Sequence, residues 1–229
     1  METPPISNEV ALRIALASKV LPDVSLQALI TALQTQLEDQ LTESTLSQLT
    51  VTALQQCLTP VDENNTDRAS LKEALRLLWG ETEETLPIPE AGGLPNAIKI
   101  AVASNHEEAL DGHFGSCHRY LIYELAVDEM RLVEVRSTID VDLATDKTQF
   151  RVDLIRDCAI VYMVAIGGPA AAKVIQANIY PMKKVEGGLA RDHLAQLQHV
   201  LATSPPPWLA KALGLQVKSA FSATVSETA

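Results

Sequence analysis

From Asp111 to Tyr120 the chain reads Asp-Gly-His-Phe-Gly-Ser-Cys-His-Arg-Tyr, so the imidazoles of His113 and His118 and the thiol of Cys117 fall within six residues. Imidazole and thiolate are donors that hold zinc, copper, iron and iron–sulfur clusters. Gly112 and Gly115 stand on either side of His113, where they let the backbone bend tightly and a ligand come close. A neutral His113 ring in such a loop can offer a nitrogen to a metal. The plainer alternative, and the commoner one for a single histidine, is a hydrogen bond between its ring and a loop carbonyl. Cys117 supplies either a thiolate, its pKa lowered by nearby Arg119 and by His118, or a buried structural thiol at the start of a strand. If 117–120 is already extended, neighbours point to opposite faces, so at most one of Cys117 and His118 shares a face with the site. That limit, and the lack of a Cys-x-x-Cys pair or a second His/Cys cluster, argues against a zinc site built from this loop. His106, His193 and His199 are scattered.

A second stretch, Gly167-Gly168-Pro169-Ala-Ala-Ala-Lys173, has the form strand, turn, helix. Free N–H groups at such a helix start attract anions, but the Gly-x-x-x-x-Gly-Lys-Ser/Thr pattern of a phosphate loop is absent, which argues against nucleotide binding. Lys173, Lys183, Lys184 and Arg191 are the main basic concentration of this half. Converging near the helix start, they would hold a polycarboxylate or another anion; the alternative is a solvated surface stretch. Glu107, Glu108 and Asp111 read as a charged loop more readily than as a magnesium site. No serine sits in a Gly-x-Ser-x-Gly elbow. Adjacent Cys117 and His118 are poorly placed to act as nucleophile and base.

Positioning these residues falls to a second half whose hydrophobic period is that of a sheet. Residues 98–104 read as a buried strand, and 120–126 with 131–137 as a hairpin. Residues 147–158 follow as an amphipathic helix and 159–165 as a fully apolar, central strand. A helix over about 170–177 begins at Pro169, a short strand covers 179–185, and a last helix covers 190–202. The order predicts an α/β sheet of mixed direction. The first 80 residues change period to 3.6 and predict four or five short helices, broken at Leu21-Pro22-Asp23 and at Thr59-Pro60 with 62–65, the last helix capped by Thr66 or Asp67. This half has no histidine, and its one cysteine, Cys57, reads as a small core residue. The expected domains are an acidic helical bundle over 1–80, a linker over 81–96 with little that can pack, an α/β core over 97–203 and a tail over 204–229.

Composition bounds the role. The chain has 229 residues, 47% of them hydrophobic, and a net charge of −11. Residues 1–90 hold 5 Lys/Arg against 14 Asp/Glu, a net of −9, so the acidity is concentrated there. Such a chain is poorly suited to a nucleic-acid backbone and well suited to a protein partner with a basic surface. No apolar run is long enough for a membrane span, the N-terminus lacks the regions of a signal peptide, and three widely spaced cysteines fit a reducing cytoplasm.

The Asp-Gly-His-Phe-Gly-Ser-Cys-x-Arg-Tyr-Leu-Ile-Tyr motif at 111–123 resembles the nitrogenase iron–molybdenum cofactor carrier family, NifX, NifY and NafY. So does Ile166-Gly-Gly-Pro-Ala-Ala-Ala-Lys173-Val-Ile followed by Asn178-Ile-Tyr-Pro-Met-Lys183. The likeness covers about 97–203, and the preceding helical domain makes the chain similar to the two-domain NafY- or NifY-like members. The resemblance implies a ribonuclease H-like α/β domain without nuclease activity, behind a small sterile-alpha-motif-like bundle. It implies non-catalytic binding of the iron–molybdenum cofactor or its iron–sulfur precursor. It also implies association with cofactor-free dinitrogenase, and with other cofactor-assembly proteins. The family's ligating histidine falls on His113, with Cys117 an auxiliary thiolate in the same motif. The mature cofactor of the family is an anionic cluster bearing homocitrate, which Lys173 and the helix start at Pro169 are placed to meet. Two rival readings remain: an interaction-only chaperone of apo-dinitrogenase, and a divalent-metal hydrolase, for which strand 98–104 lacks the carboxylates.

Overall fold

The structure, a computed structural model, describes residues 6–38, 40–60, 66–204, 206, 207 and 209. The expected tail over 204–229 lies almost wholly outside the described residues, as does 62–65 of the break before the last helix of the bundle.

Five helices form the first part: α1 (Asn8–Val20), α2 (Leu26–Gln36), α3 (Glu43–Leu46), α4 (Val51–Leu58) and α5 (Arg68–Trp79). Each begins where a short polar side chain accepts a free N–H of the first turn: Ser7, Ser25, Thr42, Thr50 and Asp67 in order. Such caps are worth about 1 kcal/mol each. Helix α5 stops at Gly80, whose φ of +84° closes the helix in the left-handed conformation. A Cβ on Gly80 would also come within 2.7 Å of the Arg13 guanidinium. Leucines and alanines from α1, α2, α4 and α5 build one core, in which Cys57 is a buried member.

The second part is a five-stranded sheet in the order β4-β3-β1-β5-β6, with β1 (Ile98–Ser104), β3 (Arg119–Leu125), β4 (Met130–Ser137), β5 (Ile160–Met163) and β6 (Tyr180–Lys183). The hairpin β3–β4 and the pair β1–β3 are antiparallel, whereas β5 runs parallel to both β1 and β6. The period of two sorts the side chains. Ile98, Ile100 and Val102 face α8 (Ala190–Thr203), while Ala101 and Ala103 face α6 (Lys147–Leu154) and α7 (Gly168–Gln176). A two-stranded ribbon, β2 (Ala109–Leu110) with β7 (Gly188–Leu189), ties the loop after β1 to the start of α8.

Three elements are shorter than their sequence suggests, one of them β6, which covers only Tyr180–Lys183 of the expected 179–185. Helix α6 ends at Leu154 because the chain turns there to enter the sheet, Cys158 N–H returning to the Ile155 carbonyl at 2.9 Å. Strand β5 ends at Met163 because the next residues leave the sheet to hold the His113 loop. It is interior, but β1 is the middle strand. The 81–96 segment forms no helix or strand, yet it packs: Glu81 is buried, and the Glu90 N–H donates to the Leu132 carbonyl at 2.7 Å. Among the described residues no helix is long and apolar enough to cross a membrane.

Candidate functional site

The loop after β2 is clamped by its backbone. Gly112 lies against β1, its N–H bonded to the Ala103 carbonyl, and a Cβ there would sit 2.7 Å from both the Ala103 backbone and the Cys117 Cβ. Glycine is required at this close approach. The Gly112 carbonyl accepts from Val164 N–H, Phe114 N–H donates to the Ala165 carbonyl, and His113 forms a parallel bridge to Ala165. The His113 carbonyl accepts the N–H groups of Ser116 and Cys117. Phe114 is fully buried, and the Tyr120 hydroxyl donates to its carbonyl at 3.1 Å.

With its backbone spent in this way, the His113 ring stays exposed, and among the described residues it makes no hydrogen bond. His106, His118 and His193 each spend a ring nitrogen on a protein oxygen: Asp111 Oδ2 at 2.6 Å, the Ser47 carbonyl at 2.8 Å and the Gly187 carbonyl at 2.8 Å. The carbonyl-bound alternative for His113 is therefore not what the loop adopts. Nearby, a Cβ on Gly115, Gly167 or Gly168 would meet nothing within 4 Å. Gly167 caps α7 with no side chain, leaving the first N–H groups of that helix open beside the bridge to Ala165.

Cys117 differs from its expected environment. Its side chain points into the core beneath the loop, against Phe114 and Tyr120, and the residue is 1% exposed. Arg119 does not lower its pKa, because its guanidinium turns away to Glu81 at 2.6 Å. The cation beside the thiol is Arg151, whose Nη1 donates to the Cys117 carbonyl at 2.9 Å and to Sγ at 3.4 Å. Burial outweighs that charge and holds the thiol above its usual range. Strand alternation does not set the direction of His118, since β3 begins only at Arg119; its ring turns to the bundle. It stacks on Trp79 with ring centroids 4.1 Å apart and planes 2° from parallel, and burial pushes its pKa down to about 4.

These contacts join the two parts of the chain. The side chains of Arg119 and Glu81 are 2% and 5% exposed, Ile139 belongs to the bundle core, and Asp142 accepts the Thr52 N–H at the start of α4. Beside the joint lies a cleft of about 640 Å³. The sheet side contributes His113, Cys117, Lys147 and Arg151, and the bundle contributes Ser47 and Gln48 among others.

Lys173 is not brought to this cleft. It is ion-paired with Asp146 and lies outside the lining. Arg191 also goes elsewhere, to Glu90 and Glu108 over the Tyr123 ring, so the basic residues of this half do not converge. Glu108 and Asp111 take separate partners, and among the described residues no three His, Cys, Asp or Glu side chains gather as a metal site. The cations that do line the cleft, Lys147 and Arg151, went unmarked by the sequence reading. Their i, i+4 spacing along α6 is the signal that could have found them.

Residues 6–90 match the family described as “Dinitrogenase iron-molybdenum cofactor, N-terminal”, and residues 96–200 match “Dinitrogenase iron-molybdenum cofactor”. Protein NifY of Azotobacter vinelandii is 40% identical over 224 residues, covering 93% of this chain and 92% of its own. The chain belongs to the NifX/NifY/NafY family. That family works in nitrogen fixation, on the iron–molybdenum cofactor of nitrogenase. Protein NifX of Rhodobacter capsulatus is 34% identical, covering 61% of this chain and 91% of its own. A solved N-terminal domain of NafY is 38% identical, covering 42% of this chain and 97% of its own, with a TM-score of 0.29.

Proposed function

We propose that this NifX/NifY/NafY protein is a non-catalytic assembly factor. It binds the iron–molybdenum cofactor, or its iron–sulfur precursor, at His113 and associates with cofactor-free dinitrogenase, keeping it competent for insertion. The observation that carries this reading is the contrast within the His113 loop: a backbone fixed at every turn, and a ring that no protein group among the described residues engages. A rigid loop presenting one free imidazole suits a cargo that must be both held and released, since one ligand contributes modest affinity. The open N–H groups at the start of α7 and the uncovered faces of Gly115, Gly167 and Gly168 give an anionic cluster room to approach. Cys117 acts from beneath, packing the loop as a protonated thiol rather than leading as a ligand.

The acidic bundle is the docking module for dinitrogenase in this reading, and the sheet domain holds the cargo. An association steered by that charge weakens as ionic strength rises. We also read the sheet order as the ribonuclease H-like arrangement and the bundle as sterile-alpha-motif-like. Anaerobic purification of the full chain from cells making the cofactor, followed by metal analysis, tests the proposal. Iron together with sulfur or molybdenum on the chain supports it. A metal-free chain that also ignores isolated cofactor sinks it.

A further inference from the structure

Helix α6 carries an electrostatic arrangement that is unfavourable by itself. Lys147 is its first residue and Arg151 lies one turn on, so two like charges share a face at i, i+4. Lys147 stands at the positive end of the helix dipole, where a cation is disfavoured. Among the described residues neither makes an ion pair. Asp146, the N-cap of the same helix, is taken by Gln149 N–H and Lys173.

Arg151 makes the imbalance sharper. It is 4% exposed, its Nη1 donates to the Cys117 carbonyl and thiol, and among the described residues its Nε has no hydrogen-bond partner. A guanidinium stays charged at any physiological pH. A buried cation with an unmade hydrogen bond and no counter-ion is costly unless something else supplies the anion. Both cations line the cleft between sheet and bundle. The one carboxylate in that lining, Asp111, is occupied by His106 at 2.6 Å and by the Asn105 N–H.

We infer that the cleft is a binding site for a small molecule carrying more than one carboxylate. Lys147 and Arg151 supply the charge, and Ser47 and Gln48 of the bundle supply the facing wall. Two cations a helical turn apart, facing hydroxyl and amide groups across about 640 Å³, suit a di- or tricarboxylate better than a single compact ion. The bundle is then part of the ligand site and not only a docking module. The inference rests on the cofactor reading for what the natural ligand is attached to, but the anion site itself needs no metal.

Calorimetric titration of the metal-free full chain with citrate, at low salt, tests it, with inorganic phosphate as a second arm. Citrate saturates one site on the wild-type chain. Lys147→Glu, an exposed substitution, weakens it by about tenfold or more, the loss of one charge-assisted contact, while Lys19→Ala on α1 leaves it unchanged. Gln48→Ala weakens it by a smaller factor. The absence of saturable citrate binding, equal binding by Lys147→Glu, or preference for phosphate over citrate would overturn the inference. A chain that binds cluster but not citrate refutes this inference alone. One that binds citrate but no cluster refutes the cofactor reading alone.

Discussion

The two ends of one loop use the same side chain in opposite ways. At its outer end His113 is exposed and, among the described residues, its ring nitrogens have no partner, on a backbone that cannot move easily. Five residues on, His118 is 3% exposed, sandwiched against Trp79 and bonded to the Ser47 carbonyl. Next to it, Arg119 is committed to Glu81. The inner end fastens the sheet to the helical bundle, and the outer end is held by backbone bonds to β1 and to the residues after β5 but left chemically open. What separates ligand from structural residue here is therefore whether the protein has already spent the ring, not residue type.

The largest effect expected is at the inner end. Glu81→Leu strands the Arg119 guanidinium in the joint and costs about 3–5 kcal/mol in urea unfolding. A cost under about 1 kcal/mol would mean the pair does not anchor the loop. The His118 titration comes next. Its pKa is 6.5 in the unfolded chain and about 4 when folded, so the unfolded state binds the proton first. Stability is therefore full above pH 6.5 and falls by about 3 kcal/mol as pH drops toward 4. Thermal unfolding across that window shows the acid loss in the wild type, whereas His118→Phe, which keeps a ring on Trp79, loses this part of the slope. A smaller effect is expected for Lys173→Ala, which removes a surface pair with Asp146 and shifts the unfolding midpoint only slightly in the same assay. His113→Ala is the smallest, within about 0.5 kcal/mol, because an exposed ring without partners contributes little to the fold. A large loss of stability there would erase the contrast between the two ends.

Much of this was legible in the residues. The apolar run of β1 and the caps and glycine around α5 show in the sequence because local chemistry dictates them. The loop announced itself through its ligand types, whereas the strand alternation expected over 117–120 does not apply to Cys117 and His118, because β3 begins at Arg119. What was illegible depends on distant partners. Arg119 reads as a neighbour of Cys117, but its carboxylate comes from Glu81, in a stretch whose prolines and charge look unable to pack. Lys173 reads as a free cation at a helix start until Asp146 is brought beside it. Lys147 and Arg151 look like the polar face of an amphipathic helix, and only the cleft shows that their charges are unmatched. The ends of α6 and β5 were set by tertiary demands, the turn into the sheet and the clamp on the His113 loop.

The division of the loop into a spent end and an open end stands or falls on one comparison. Isolated iron–molybdenum cofactor is titrated anaerobically into the full-length chain and into His113→Ala, with unfolding midpoints measured on the same samples. The wild type is expected to take up cofactor stoichiometrically, and the variant to keep its midpoint while losing most of that binding. A variant that folds normally and binds cofactor as the wild type does would contradict the assignment of His113 as the ligand.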